Sequence, residues 1–195
     1  MKGGSGVDPA RRGAEAFRRT REGPPMYRRR LLPEGVSPPK AIRGEGFLMR
    51  PLLLADAEAD YEAVMETAAR LRGFMDPEDD WPDGLTLHEN RVDLGWHERE
   101  FTLGASFAWT VVEPDGPRVL GCAYLYPSDR AGYAAMAFWW ARESAQALDG
   151  PIGAAFRGVL AGLPVGRVAF PGREIAWDEW MALPRAWAGV TGWDC

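Results

Sequence analysis

The sequence has 195 residues, 46% of them hydrophobic, and a formal net charge of −5. This length suits one domain that buries a substantial core. Residues 1–30 hold nine basic and three acidic side chains, a balance of +6, so residues 31–195 carry −11. The sequence therefore predicts a basic arm on an acidic body, and such a body argues against a nucleic-acid groove across the domain.

Cysteine usage and hydropathy indicate the compartment. The only cysteines are Cys122 and Cys195, which form neither a disulfide framework nor a metal-ligand spacing. No apolar stretch approaches the roughly 20 residues that cross a bilayer, and the N-terminus lacks the apolar core of a secretory signal. We therefore expect a soluble, cytoplasmic protein without a membrane partner. The excess of arginine over lysine is typical of a GC-rich bacterial genome.

The first predicted elements follow an irregular N-terminal stretch. Residues 1–44 are rich in Arg, Pro and Gly and lack periodicity, which predicts an arm, with the domain at 45–195. FLMRPLLL at 47–54 predicts the first strand, and apolar residues at helical spacing between positions 61 and 71 predict the first helix. Thr86 and Glu89 form a T-x-x-E capping box, which predicts a second helix to about Leu103.

The second half of the sequence reads as a β-meander followed by a helix. SFAWTVV and VLGCAYLY are joined by a Pro-Asp-Gly turn and predict a hairpin, and YAAMAFWW predicts a third strand. ALDGPIGAAFRGVLAG then predicts a helix, GRVAF another strand, and the remaining residues one or two helical turns. The predicted order is β-α-α-β-β-β-α-β, an α/β (α+β) fold.

The second predicted helix carries both histidines, His88 and His97. Positions nine apart differ by about 180° on an α-helix, so the two side chains cannot converge on one metal ion. No nucleophile-elbow spacing accompanies the serines either. We therefore expect neither a metal site nor a Ser-His-Asp triad.

The same helix divides into three strips. One apolar strip holds Leu87, Leu94 and Phe101, and the opposite one holds Val92, Trp96 and Leu103, which predicts packing on two flanks. The third strip is polar and consists of Asn90, Asp93, His97 and Glu100. A histidine beside carboxylates suits the binding and deprotonation of a cationic amine. The alternative is a solvated polar strip that only stabilises the helix.

Four segments between residues 45 and 172 resemble the GNAT superfamily of acetyl-CoA-dependent N-acetyltransferases. They are FLMRPLLLADAEADYEAVMET as first strand and helix, RVLGCAYLYPS as a central strand, YAAMAFWWARES as the splayed strand, and GPIGAAF as the turn before a helix. The resemblance is to a divergent member with a shortened C-terminus. It implies a mixed, mostly antiparallel sheet with flanking helices, acetyl-CoA as co-substrate and no metal.

The resemblance also implies where the cofactor binds. Its pantetheine arm would lie on the splayed strand at Trp140, Ala141 and Arg142, and its pyrophosphate on a Q/R-x-x-G-x-G/A turn. The turn residues are Gly150, Ile152, Gly153, Ala154 and Ala155. Gly150 replaces the usual Gln or Arg, Pro151 lacks an N–H, and Asp149 is acidic. Arg142 could supply the missing charge; alternatively, the turn only begins a packed helix.

Catalytic residues follow by the same comparison. The family's tyrosine acid has no counterpart, since the last tyrosine is Tyr133, and the splayed strand carries no glutamate. The base would therefore be Glu100 or His97, with Asp93 and Trp96 contacting the acceptor. We expect acetyl transfer from acetyl-CoA to a small amine or peptide amine. The alternatives are a catalytically degenerate GNAT-fold binding or assembly module, and partner or nucleic-acid recruitment by the arm. A homodimer is compatible with the sequence.

Overall fold

Six strands form one sheet whose spatial order follows the chain. The computed structural model describes residues 30–186. The strands are β1 (Ile42–Gly44), β2 (Phe47–Pro51), β3 (Phe107–Val112), β4 (Val119–Pro127), β5 (Ala135–Ala141) and β6 (Val168–Ala169). Neighbours pair antiparallel from β1 to β5, whereas β5 and β6 are parallel.

Helices flank this sheet on both faces. They are α1 (Ala57–Glu66), α2 (Ala68–Leu71), α3 (Leu87–Leu103), α4 (Asp149–Ala161) and α5 (Trp177–Ala182), with 3₁₀ segments at Leu54–Asp56 and Glu143–Leu148. The predicted fold class is confirmed, and each predicted strand and helix is present. The sequence prediction missed β1, because an element of three residues is too short to show periodicity, and it merged α1 and α2 into one helix.

The first described residues pack against the sheet. Leu32 is buried in the core, and the N–H of Leu31 donates to the carbonyl of Gly104 at 2.7 Å. A two-residue turn at 45–46 then joins β1 to β2. The described part of the predicted arm, residues 30–44, therefore contributes both a strand and a core side chain. The basic residues before it lie outside the described residues.

The two faces of the sheet carry separate apolar cores. Successive side chains of a strand point to opposite faces, so Trp139 and Trp140 on β5 belong to different cores. Trp139 faces α4 and packs edge-on against Phe156. Trp140 lies on the face that α1 and α3 cover, together with Leu94. Two consecutive tryptophans thus contribute to both cores, and they are only 4% and 3% exposed.

Helix α3 has the predicted boundaries. The hydroxyl of Thr86 accepts from the N–H of Glu89 at 3.2 Å, and the Glu89 carboxylate accepts from the N–H of Thr86 at 2.9 Å. The helix ends before Gly104, whose φ of 70° is the left-handed conformation that glycine adopts without strain. The capping box and the C-terminal glycine therefore determine the length of this helix locally.

The prediction that α3 packs on two flanks is wrong. Val92, Trp96 and Leu103 are 43%, 42% and 45% exposed. The helix instead turns Leu94 and the neighbouring polar positions towards the sheet, and Asn90 and His97 are both buried. Partners on α1 and β4 explain this orientation, because Asn90 donates a hydrogen bond to Asp60 and the His97 ring contacts Tyr124.

The parallel strands β5 and β6 pair over only two residues. Ala135 and Met136 pair with Val168 and Ala169, after which β5 continues to Ala141 without a strand partner on this side. We call the gap beyond this pairing the notch. The start of α4 and the turn at residues 170–175 both adjoin it. The stretch of β5 along this notch is where the resemblance to the GNAT superfamily predicts the splayed strand.

Candidate functional site

The notch contains the side chain of Arg173. Its Nη1 and Nη2 donate to the two carboxylate oxygens of Asp149 at 2.9 and 2.8 Å, and Nη2 also donates to the carbonyl of Trp139 at 2.9 Å. The guanidinium carbon lies 3.8 Å from the centroid of the Trp139 ring. Arg173 is thus the cation that lies beside the start of α4, a position that sequence reasoning assigned to Arg142.

Arg142 instead points to the opposite side of the sheet, towards α1. Its Nε donates to the Glu66 carboxylate at 2.5 Å, and Nη1 donates to the carbonyl of Val119 at 3.3 Å. The same carboxylate accepts from the N–H of Ser144 at 2.8 Å. Hydrogen bonds from Ser144 and Arg142 lower the pKa of Glu66 to about 2. The expectation that Arg142 compensates for the missing Gln or Arg of the turn does not match this geometry.

The predicted pyrophosphate turn forms the first two turns of α4. Gly150 and Ala154 are exposed, Ala155 is half-buried, and Ile152 and Gly153 are buried. A Cβ atom on Gly153 would lie 2.6 Å from Cε2 and Cζ2 of Trp139, whereas nothing lies within 4 Å of one on Gly150. The small residue at 153 is therefore required by packing against Trp139.

Beyond Trp139, the backbone at the end of β5 accepts hydrogen bonds from a side chain of this protein. Gln146 Nε2 donates to the carbonyl of Ala141 at 2.5 Å and to that of Arg142 at 3.1 Å. Trp140 points to the other face, where its Nε1 donates to the hydroxyl of Tyr124 at 3.4 Å. The backbone of this segment therefore already has partners, since the N–H of Arg142 donates to the carbonyl of Leu120 on β4 at 2.7 Å and Gln146 holds the carbonyls of Ala141 and Arg142.

The α1–α3 face of the sheet contains a buried histidine. His97 Nε2 lies 3.3 Å from the Asp93 carboxylate, one helical turn away, and its side chain is 11% exposed. Burial lowers the pKa of His97, but the carboxylates of Asp93, Glu100 and Asp60 outweigh it, so the pKa is raised from its ordinary value. Sequence reasoning predicted this i, i+4 pair, and the structure places it beneath the helix instead of in solvent.

Aromatic rings connect His97 to the splayed strand. Its ring centroid lies 5.6 Å from that of Tyr124 and 6.3 Å from that of Tyr126, both on β4. Tyr126 in turn lies 6.5 Å from Phe138 on β5, which stacks against Trp177 at 6.2 Å. Burial raises the pKa of Tyr124 well above its ordinary value, so its hydroxyl keeps its proton. The histidine and β5 therefore share one continuous aromatic surface.

The other two predicted helix positions differ in exposure. The Glu100 carboxylate accepts from the hydroxyl of Ser106 at 2.5 Å, at the entry to β3. Glu100 also contributes to the raised pKa of His97, so the two side chains share the strip that the helical wheel predicted. Trp96 faces outward, where Arg99 lies 5.3 Å from its ring centroid. Trp96 therefore does not join the buried cluster.

A second carboxylate lies deeper in the same cluster. Asp60 on α1 is 2% exposed, and it accepts from Asn90 Nδ2 at 3.0 Å and from the Cys122 thiol at 3.3 Å. Burial is the main cause that raises the pKa of Asp60 to about 6. Sequence reasoning did not select Asp60, although it follows Ala57 by three residues and precedes Val64 by four, on the apolar face of α1.

Asp60→Asn is expected to change how stability depends on pH. A folded pKa above the unfolded value stabilises the protein below pH 3.8, and this contribution is lost as pH rises through about 6. The variant should therefore gain stability relative to the parent by up to about 3 kcal/mol between pH 4 and pH 7. Urea unfolding at several pH values measures the difference. Asp115→Asn, in an exposed turn, is the control; a pH-independent difference for Asp60→Asn would contradict the assignment.

Comparison with known proteins identifies the fold. No protein-family model matches the sequence, and no curated protein matches it. RimL, a ribosomal L7/L12 alpha-N-protein acetyltransferase solved in complex with coenzyme A, matches with a TM-score of 0.51 at 17% identity, over 63% of this chain and 66% of that one. Ribosomal-protein-S5-alanine acetyltransferase from Vibrio fischeri matches with a TM-score of 0.51 at 14% identity, over 62% and 65%.

A third match, from Salmonella typhimurium, is an acetyl transferase that modifies the N-terminal serine of 50S ribosomal subunit protein L7/L12. Its TM-score is 0.50 at 14% identity, over 63% of this chain and 66% of that one. All three matches thus cover slightly less than two thirds of either chain. The fold that this sheet and its notch define is the GNAT fold of these solved acetyltransferases. This chain has that fold.

The described residues contain neither a membrane-spanning helix nor a metal-binding cluster. Within residues 30–186, no helix is long and apolar enough to cross a membrane. In the same range, no group of three His, Cys, Asp or Glu side chains is placed to hold a metal ion.

Proposed function

We propose that this protein is an N-acetyltransferase that moves an acetyl group from acetyl-CoA to a small amine or to the amine of a peptide. The observation that carries the proposal is the notch, where β5 continues beyond its two-residue pairing with β6 and α4 begins beside it. A buried histidine–carboxylate pair lies on the α1–α3 face of the same sheet, beside Tyr124 and Tyr126 of β4. The solved neighbours named above act on ribosomal proteins, and one of them was solved with coenzyme A.

The residues at the notch fit this cofactor by their chemistry. The backbone of Trp140, Ala141 and Arg142 would hold the pantetheine arm once Gln146 releases the carbonyl of Ala141, and the start of α4 would hold its pyrophosphate. The α4 residues are Gly150, Ile152, Gly153, Ala154 and Ala155. The exposed positions 150 and 154 carry no bulky side chain, and the Arg173 guanidinium, which pairs with Asp149, is a bidentate donor suited to phosphate. When bound, acetyl-CoA supplies the thioester whose acetyl group is transferred.

The chain's own residues would handle the acceptor and its proton. His97 would take a proton from the incoming ammonium group, with Asp93 orienting the imidazole and Glu100 adding negative charge near it. Asp93 and Trp96 would contact the acceptor at the edge of α3. The rings of Tyr124 and Tyr126 lie beside the imidazole. The net charge of −11 over residues 31–195 favours a cationic acceptor.

Acetyl-CoA is expected to raise the melting temperature of this protein. A ligand that binds only the folded state at 100 times its Kd stabilises it by about 2.7 kcal/mol. For a chain of this size, that corresponds to an increase of about 5–10 °C. A thermal-shift titration with acetyl-CoA and with coenzyme A measures it, and adenosine at equal concentration is the control. If neither acetyl-CoA nor coenzyme A raised the melting temperature, the result would contradict the proposal. It would favour a catalytically degenerate binding or assembly module.

Turnover requires a separate measurement. Release of free thiol from acetyl-CoA should depend on an added amine, with peptides that begin with serine or alanine and small diamines as candidate acceptors. Binding without acceptor-dependent thiol release would retain the cofactor assignment and contradict catalysis.

A further inference from the structure

Two ion pairs join the turn at residues 170–175 to α4, and each segment supplies the arginine of one pair and the carboxylate of the other. Arg173 of the turn pairs with Asp149 of α4, and Arg157 of α4 pairs with Glu174 of the turn. Both guanidinium groups also lie over the Trp139 ring, at 3.8 and 5.0 Å from its centroid. Together these contacts hold the turn across the open side of the notch.

The two ion pairs lie at different places along α4. The Asp149–Arg173 pair lies at the first turn of α4, and it also engages the Trp139 carbonyl on the free edge of β5. The Arg157–Glu174 pair lies two turns further along α4, against Phe170. Breaking either pair loosens the turn. Only the Asp149–Arg173 pair, however, occupies the Trp139 carbonyl and the guanidinium that a ligand in the notch would need.

Asp149 has the chemistry of an internal substitute for a phosphate group. Its carboxylate presents two oxygens to one guanidinium, the bidentate geometry that arginine also forms with phosphate. It lies at the first turn of a helix, where the helix dipole favours an anion. The Arg173 and Asp149 side chains are 29% and 25% exposed, so the pair can exchange partners without unfolding the core.

We infer that Arg173 is an anion-binding residue of the notch and that Asp149 is its built-in competitor. A diphosphate-bearing ligand must displace the Asp149 carboxylate from Arg173, and the guanidinium then transfers its hydrogen bonds to the phosphate oxygens. The inference rests on the function proposed above. It adds an autoinhibitory contact, which lowers the apparent affinity by the fraction of molecules in which the pair is closed.

Calorimetric titration of coenzyme A tests the inference with three variants. Asp149→Asn removes the competing charge at nearly constant size and should tighten binding on the order of tenfold. Arg173→Gln should weaken binding on the order of tenfold, because the bidentate donor is lost. Glu174→Gln breaks the neighbouring ion pair between the same two segments and should leave the affinity unchanged. Melting temperatures establish that each variant is folded.

The same variants are titrated with inorganic pyrophosphate, which separates the inference from the proposed function. Coenzyme A could bind none of the proteins while pyrophosphate binds Asp149→Asn and not Arg173→Gln. That result would contradict the proposed function and support the competition between Asp149 and a phosphate group for Arg173. If Glu174→Gln tightens binding as much as Asp149→Asn, loosening of the turn explains the effect and the competition is overturned. Equal affinity of the parent and Asp149→Asn for both probes also overturns it.

Discussion

Gly153→Ala is expected to lower the free energy of unfolding by about 1–3 kcal/mol, the usual cost of overpacking a core. The new methyl group would lie 2.6 Å from the Trp139 ring. This ring has little freedom to move, because its Nε1 donates to the Asp149 carbonyl at 3.1 Å and Arg173 covers its face. Chemical unfolding of the parent and the variant measures the loss, which at this chain length lowers the melting temperature by about 2–12 °C.

Gly150→Ala is the matched control for this substitution. It lies in the same helix, and no atom is within 4 Å of the added methyl group. Because alanine is the better helix former, this variant should gain up to about 1 kcal/mol. Equal stabilities for the two alanine variants would contradict the packing explanation for Gly153. They would restore the phosphate turn as the reason for a small residue there.

His97→Gln is expected to reduce kcat/KM of acetyl transfer by about 100-fold, the lower range for loss of a general base. The imidazole is buried against Tyr124 and held by Asp93, so glutamine keeps a polar group there but cannot accept a proton at neutral pH. Thiol-release kinetics over a range of acceptor concentrations measure the change. His88→Gln, at the exposed start of the same helix, should leave the rate unchanged.

The pH profile distinguishes a base from a residue that only supports the fold. A base acts when it is unprotonated, so the rate should rise with pH through the raised pKa of His97. Asp93→Asn removes the main charge that raises this pKa, and the rising limb should therefore move to lower pH. A profile unchanged by Asp93→Asn would contradict the role of His97. A large loss in Glu100→Gln with little change in His97→Gln would assign the base to Glu100.

The candidate site shows which side-chain roles were predictable from spacing. Asp93, His97 and Glu100 share one strip of α3 because positions three and four apart are neighbours on any α-helix. Whether that strip faces solvent or the sheet does not follow from spacing. The buried hydrogen bonds from Asn90 to Asp60 and to the carbonyl of Ala57 decide it, since both partners belong to a helix about 30 residues earlier in the chain.

The cofactor region shows a second difference of the same kind. Arg142 follows the splayed strand directly, and its position in the sequence favoured it as the cation near α4. In the structure it pairs with Glu66 on the other face, and Arg173 lies in the notch. Arg173 follows β6 and is 24 residues from its partner Asp149, so no local pattern relates the two.

By itself, the sequence determined the order of the main strands and helices, the capped boundaries of α3, and the GNAT-like meander followed by a helix. These features depend on contacts between residues a few positions apart, and hydrophobic periodicity, turn residues and caps record such contacts directly. The tertiary structure alone decided the partners of Arg142, Arg173 and Asp60 and the reason for Gly153. Those partners are brought together by the folding of distant segments, because burial and ion pairing depend on which faces of the helices meet the sheet.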